Sequence, residues 1–470
     1  MIFNSLTFLV FFAIVLFLHN LPLRWTFKKV NLLLASYVFY AAWNPPFVIL
    51  IWISTIIDWF AARWMARTRS PRKRKLFLLL SLCTNLGLLG FFKYGTFLME
   101  NFTILLRAVG IEFAPPAADI VLPVGISFYT FQTLSYTIDV YRGRMQPWNS
   151  QLDFALYVTF FPQLVAGPIV RARDFLPQLI EPRRPPGHVF AWGGALLVLG
   201  LFEKVILADG ICSPVTEIVY SNVASAGAQD AWLGTLAFSA QIFFDFSGYS
   251  TCAIGVAMCL GFSLSDNFRY PYGAIGFSDF WRRWHISLSS WLRDYLYIPL
   301  GGNRKGNVNI NLMTTMLLGG LWHGAGWTFV AWGGLHGLYL MGERAVERVF
   351  GNPVWAKGQV VRFALAIVTY VLVCFTWVFF RASDFTSAWQ LITAMVAGGA
   401  GTVYVGLANA FNIAVLSVLI LATHWYMRDR TLEDVVRVVP WWVRSLALAF
   451  MLFWLINESG GGRAFIYFQF

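Results

Sequence analysis

Apolar runs about as long as a bilayer is thick, separated by short polar links, recur along the whole chain. The first, Phe3 to Leu23, is closed by Arg24, Lys28 and Lys29. Val30 to Ile57 is too long for one crossing, and Trp43-Asn44-Pro45-Pro46 interrupts it with a turn signal, so it predicts a helical hairpin. Leu76 to Leu98 is the next span and contains Lys93. Pro115-Pro116 precedes a span or re-entrant piece carrying L-P-V-G-I-S-F-Y-T-F-Q (Leu122 to Gln132), which ends near Asp139 to Arg142. Phe154 to Val170 contains F-F-P-Q-L-V-A-G-P, a broken helix by its prolines and glycine. Ala191 to Ala208, the over-long Ala231 to Phe262, and spans near 361–380, 402–425 and 441–456 complete the series. At about 20 residues per crossing this makes about eleven spans. The runs are continuous rather than alternating, which argues against a β-barrel. The pattern predicts an all-α polytopic membrane protein, one transmembrane domain over 1–470, without a soluble domain or an obvious repeat.

Composition agrees: 58% of residues are hydrophobic and 12% charged. A net charge of +12 could suit a nucleic-acid partner. The basic residues, however, sit in short links between apolar runs, a pattern that reports orientation and points to no nucleic acid. The links 24–29 and 63–75 are separated by two crossings and therefore share a side. Both are basic, so that side is cytoplasmic and the N-terminus lies outside. The first run lacks a basic leader and a small-residue cleavage site, and reads as a retained helix. Cys83, Cys212, Cys252, Cys259 and Cys374 form no C-x-x-C pair and read as inert buried thiols.

The chemistry concentrates between Phe280 and His336, which holds three of the six histidines. F-W-R-R-W-H-I-S-L-S-S-W-L-R-D-Y (Phe280 to Tyr295) is followed by P-L-G-G-N-R-K-G (Pro299 to Gly306) and G-G-L-W-H-G-A-G-W (Gly319 to Trp327). At about 100° per residue, 279–297 predicts one amphipathic interfacial helix. Trp281, Trp284, Leu288, Trp291, Leu292 and Tyr295 share its apolar face. Arg282, Arg283, Ser289, Ser290, Arg293, Asp294 and Tyr297 share the other, with His285 on the seam. His323 lies instead within an apolar segment of bilayer length, where an ionisable group is costly and marks function. An imidazole suits the abstraction of a hydroxyl proton, because its pKa near 6.5 is close to working pH. Gly320, Gly324 and Gly326 around it permit close approach. His336 would stand about 220° and about 20 Å away on an unbroken helix, and reads as structural or as supporting the site from behind. His19, His188 and His424 look peripheral, and Lys93, Asp139, Asp245 and Glu203 read as paired structural charges. The arginines, with Arg304 and Lys305, suit either lipid anchoring or a clamp on the phosphates of a soluble donor. H-E-x-x-H, Cys/His knuckles, G-x-x-x-x-G-K-[ST] and G-x-S-x-G are all missing, so metal sites, ATP motors and serine hydrolases lack support.

Taken together, F-W-R-R-W-H-I-S-L-S-x-W-x-R-D-Y-x-Y-I-P-L-G-G, L-W-H-G and W-G-x-L-H-G resemble the membrane-bound O-acyltransferase superfamily. The likeness is narrower to its bacterial branch that O-acetylates alginate and related polysaccharides. L-P-V-G-I-S-F-Y-T-F-Q (122–132), F-F-P-Q-L-V-A-G-P-I (160–169), F-D-F-S-G-Y-S (244–250), V-F-F-R-A (378–382) and the terminal F-I-Y-F-Q-F extend it over nearly the whole length. The resemblance implies a ring of tilted helices with re-entrant or interfacial pieces around a central tunnel, with its catalytic core at about 120–340. It matches the family's histidine to His323 and a second polar position to His285, which implies catalytic roles for both. It also implies a bacterial inner-membrane enzyme with a cytoplasmic thioester donor, acetyl-CoA, no permanent cofactor, and an exported polysaccharide as the end acceptor. Its implied partners are membrane lipid, a periplasmic SGNH-hydrolase-like protein and a polysaccharide secretion complex.

On this reading the donor docks near Arg282, Arg283 and Arg293, its thioester reaches His323 from one face, and the acceptor hydroxyl arrives from the other. Ser287, Ser289 and Tyr297 position reactants or steady the oxyanion. Trp284, Trp291, Asp294, Asn303 and Trp322 complete the expected binding surface. The alternative is a transporter or scaffold subunit of a secretion complex, with broken helices but no chemistry of its own.

Overall fold

The computed structural model describes residues 1–113, 115, 120–351, 358–398, 401–458 and 465. Pro116 and positions 466–470 of the terminal motif lie outside them. The described residues are helical, with no strand longer than an isolated bridge between Ala226 and Thr402. The chain forms two compact units, Met1–Gly194 with Ala253–Ser265, and Ala195–Cys252 with Asp266–Phe470.

In the first unit, α1 (Leu6–Asn20) is capped by Ser5, whose hydroxyl accepts from the Phe8 amide. The expected hairpin is present as α2 (Trp25–Ala41) and α3 (Val48–Arg67), parted by a single turn at Pro45–Phe47. Pro71 opens α4 (Pro71–Ala108), a place where its missing N–H costs nothing. At 38 residues α4 is about 57 Å long by a rise of about 1.5 Å per residue, well beyond a bilayer core. The L-P-V-G motif starts α5 (Ile126–Tyr141): Gly125, at φ 76°, takes the left-handed turn. A Cβ there would lie 2.6 Å from the Leu164 carbonyl oxygen, so this start is pressed against the broken segment 160–167. That segment interrupts the helix after α6 (Gln151–Thr159), as its prolines and glycine predict, and is buried throughout.

In the second unit, α7 (Ala228–Cys259) runs unbroken for 32 residues, through F-D-F-S-G-Y-S and past the unit's edge at Cys252. Two seven-residue helices follow, α8 (Phe277–Arg283) and α9 (Ile286–Leu292). Beyond them are α10 (Val308–His323), α11 (Trp327–Phe350), α12 (Gln359–Arg381) and α13 (Leu407–Met427). Among the described residues five helices are long and apolar enough to cross a membrane, and three more are apolar but shorter. The count does not reach eleven by this measure, because several apolar runs are divided into short helices.

A tight backbone approach closes the α10–α11 hairpin. A Cβ on Gly320 would strike the Phe329 carbonyl, and one on Gly333 the Met316 carbonyl; either would sit 3.1 Å from the other glycine's Cα. Gly333→Leu is therefore expected to destabilise the hairpin by at least the about 1–3 kcal/mol typical of overpacking. Gly342→Ala on the same helix, where a Cβ meets nothing within 4 Å, should be neutral or mildly stabilising. Thermal unfolding of the two purified variants in detergent checks the contrast.

Candidate active site

The single amphipathic helix expected over 279–297 is not what forms. The chain breaks at Trp284 and His285, and His285 adopts φ 43°, ψ 55°, in the left-handed region. A non-glycine residue there costs on the order of 1–2 kcal/mol and needs its surroundings to hold it. The holding partner is the stretch 267–269. The Asn267 carbonyl accepts from the Ile286 amide at 2.9 Å, and the Arg269 amide donates to the Arg283 carbonyl at 2.9 Å. The apolar face of the expected helix is buried in protein: Trp284, Leu288, Trp291, Leu292 and Tyr295 are all covered. It is thus a packing face rather than a lipid-facing one.

His285 is fully buried, and its place on a seam becomes a place in the core. Its Nδ1 lies 3.0 Å from Asn267 Oδ1, which also accepts from the Ser287 hydroxyl at 2.9 Å and the Ser287 amide at 3.3 Å. A backbone amide can only donate, so the Asn267 atom facing it is the oxygen, and His285 Nδ1 must carry the proton. Asn267 Nδ2 in turn donates to Ser250 Oγ at 3.1 Å, which fixes the amide. His285 therefore presents the lone pair of Nε2. Its junction lies between helices far too short to cross a bilayer, and burial pushes its pKa down to about 3, keeping the ring neutral.

His323 is the last residue of α10; Gly324 then turns away in an extended conformation, and the Phe329 ring fills the space that a Cβ there would need. The imidazole is 2% exposed. Its ring centroid lies 6.4 Å from that of His285. The rings of Trp322 (5.0 Å), Trp332 (5.0 Å) and Phe380 (5.3 Å) meet it edge-on. Trp322 also packs 5.8 Å from His285, while Phe246 meets His285 at 4.6 Å. The separation foreseen between His323 and His336 assumed an unbroken helix. The break at 324–326 instead folds α11 back, and Trp332 packs against both rings, 4.8 Å from His336. His336 is fully buried, with Nε2 3.0 Å from the Thr376 hydroxyl. His424 and His19, expected at the periphery, are buried too, and His424 Nδ1 accepts from the Tyr272 amide.

The other expected residues divide into two groups. Ser287 stands beside Asn267, Ser289 Oγ donates to the Trp284 carbonyl, and Trp284 packs 4.9 Å from Trp377 next to Trp332. Trp291 is buried against Tyr295. Arg293 and Asp294 pair with each other at 2.7 Å in a wide turn, Arg293–Tyr297. The Tyr297 hydroxyl donates to Asn303 Oδ1 at 2.7 Å, and Arg344, a residue the sequence did not single out, donates to the same oxygen at 3.1 Å. Arg282 is exposed and bonded to Ser278, whereas Arg283 is enclosed. Arg283 bridges Asp279 at 2.8 Å and donates to the Arg428 carbonyl, while Arg428 holds the other oxygen of Asp279. The paired-charge reading holds for Asp245, 2.5 Å from Lys204, while Glu203 accepts from Ser247. Four of the five cysteines are buried, but Cys83 is exposed. No group of three or more His, Cys, Asp or Glu side chains gathers as a metal site among the described residues.

A neutral histidine with a fixed tautomer beside a second buried imidazole is an arrangement for moving a proton. The family model described as "MBOAT, membrane-bound O-acyltransferase family" matches residues 73–382. The chain belongs to the membrane-bound O-acyltransferase family. Its curated relatives include the "Probable alginate O-acetylase AlgI" of Azotobacter vinelandii, 40% identical over 428 residues, 90% of this chain and 82% of that protein. The protein of the same name from Pseudomonas aeruginosa is 41% identical over 85% of this chain and 75% of its own. The "Peptidoglycan O-acetyltransferase" of Helicobacter pylori is 36% identical over 79% and 74%. Both candidate histidines of this membrane-bound O-acyltransferase, His285 and His323, lie inside the segment that the family model covers.

Proposed function

We propose that this enzyme moves an acetyl group from acetyl-CoA on the cytoplasmic side to a hydroxyl of an exported polysaccharide of the alginate kind. Delivery is direct or through a periplasmic SGNH-hydrolase-like acceptor in the secretion complex. The enzyme lies in the bacterial inner membrane with its N-terminus in the periplasm. The observation that carries the reading is the pair of buried imidazoles with centroids 6.4 Å apart, one of them fixed in tautomer by Asn267.

His323 takes the acceptor's hydroxyl proton as the oxygen attacks the thioester carbonyl. The carbon–sulfur bond then breaks, the thiolate recovers the proton, and an ester and free CoA leave. His285 and the Ser287 hydroxyl orient the reactants or steady the oxyanion, an effect largest where water is excluded. The rings packed edge-on around His323 leave it closely enclosed, which suits a two-carbon acyl group better than a long chain. The exposed guanidinium of Arg282 is open to the donor's phosphates, Arg293 meets them only with the donors that its pairing with Asp294 leaves, and Arg283 serves the fold through Asp279.

Detergent-purified protein given labelled acetyl-CoA should release free CoA only when a polysaccharide or partner acceptor is added. Acetyl-CoA carried across liposomes without any CoA release would instead establish a transporter.

A further inference from the structure

The first unit holds a polar nest that the acyl-transfer chemistry does not use. Three helices each supply a pair of polar side chains one turn apart: Ser54 and Asp58 from α3, Ser81 and Asn85 from α4, Thr133 and Thr137 from α5. All six are at most 1% exposed, in the part of the chain where α3 and α4 are long and apolar enough to cross a bilayer. Asp58, near the middle of α3, is the centre. One carboxylate oxygen accepts from the Ser81 hydroxyl at 2.5 Å and from Asn85 Nδ2 at 3.0 Å; the other accepts from Asn85 Nδ2 at 2.9 Å. Behind them, Ser81 reaches Thr137 at 3.0 Å, while Ser54 and Thr133 approach Asn85 Oδ1 at 2.6 and 3.3 Å.

The nest has donors for the carboxylate but no counter-charge: among the described residues no Lys, Arg or His lies within ion-pair distance of Asp58. Some basic side chains on or beside these helices are engaged elsewhere, and Lys93, two turns beyond Asn85 on α4, makes no ion pair with Asp58 among the described residues. Arg63 lies over the Trp59 ring, Arg74 donates to the Tyr141 carbonyl, and Lys29 bridges Asp153. An ionised carboxylate at bilayer depth is too costly to stand alone, so a positive charge must come from solution. A second observation points the same way. Thr55, on the same face as Asp58 by its i, i+3 spacing, is 3% exposed, and its hydroxyl has no partner among the described residues. The carboxylate and the hydroxyl oxygens of the nest, with the Asn85 amide oxygen turned toward Ser54 and Thr133, are hard donors, suited to a small monovalent cation and not to a soft metal.

We propose that the nest formed by Ser54, Thr55, Asp58, Ser81, Asn85, Thr133 and Thr137 binds one monovalent cation, a proton or a sodium ion, that neutralises Asp58 and ties α3, α4 and α5 together. The titratable side chain nearest in sequence on α5 is Tyr136, whose hydroxyl accepts from the Trp148 amide; on α6, Asp153 is taken by Lys29. On α4 the facing groups are the neutral Ser81 and Asn85.

The test uses the full chain in detergent. A sodium ion predicts that the melting temperature of the wild type rises with sodium at constant ionic strength against choline, and that Asp58→Asn loses this response. A proton predicts no sodium effect, but an infrared carbonyl band of a protonated carboxylic acid at neutral pH that disappears in Asp58→Asn. Either result supports the site. If the wild type shows no sodium-dependent shift relative to choline and lacks the band, the proposal is overturned. Ser81→Ala, which keeps the charge but removes one ligand, should weaken the sodium response or shift the band, and gives a second reading should Asp58→Asn fail to fold.

Discussion

His323→Gln is expected to lower kcat for acceptor-dependent CoA release by about 10²–10⁴-fold, the usual worth of general-base assistance, and to leave the protein folded in the membrane. Glutamine roughly preserves the volume that Trp322, Trp332 and Phe380 enclose, so the cage need not collapse around it. What it removes is the only group at this position able to hold and return a proton near neutral pH. His336→Gln, by contrast, can keep a bond to the Thr376 hydroxyl and should retain most of the turnover. The comparison is made on purified variants by CoA release, with thermal unfolding measured in parallel. Unchanged turnover in His323→Gln would remove the proton-transfer account altogether.

The hydrophobic pattern was a good guide where a helix breaks for a local reason. The turn at Pro45–Phe47 and the interrupted run at 160–167 follow from proline and glycine chemistry, whereas the left-handed start of α5 at Gly125, inside an expected span, was not foreseen. It failed at 284–285, where nothing local stops a helix. F-W-R-R-W-H-I-S keeps a helical period through the break, and the left-handed His285 is imposed from outside by the backbone of 267–269. For the same reason Asn267 went unnoticed: a lone asparagine before an aromatic carries no motif, and its role appears only once residue 285 is folded onto it. Asp58 was equally hidden, because its partners lie on two other helices and sequence spacing cannot pair them. The buried state of His323 was legible from its apolar context, whereas its nearness to His336 was not. That depended on the chain reversing at 324–326.

Asn267→Leu is expected to cost about 10²-fold in turnover with little change in the apparent affinity for acetyl-CoA, the penalty typical of a misplaced catalytic group. Leucine matches the side chain in size but accepts nothing. It leaves the His285 Nδ1 proton, the Ser287 hydroxyl and the Ser287 amide buried without their shared oxygen. Each such orphan costs about 1–3 kcal/mol, so the His285 ring should rotate or exchange its tautomer to find another acceptor. Asn267→Asp separates this positioning role from a merely structural one. It keeps an acceptor in place, so much of the activity should survive at high pH. It also sets a negative charge 3.0 Å from the imidazole, which favours the protonated ring and raises the pKa that burial holds near 3. The charged ring no longer offers its Nε2 lone pair, so the variant should gain an acid limb in its pH–rate profile, moving to higher pH than any limb of the wild type. A profile of wild-type shape, with activity lowered equally at every pH, would show that Asn267 supports the fold and not the state of His285.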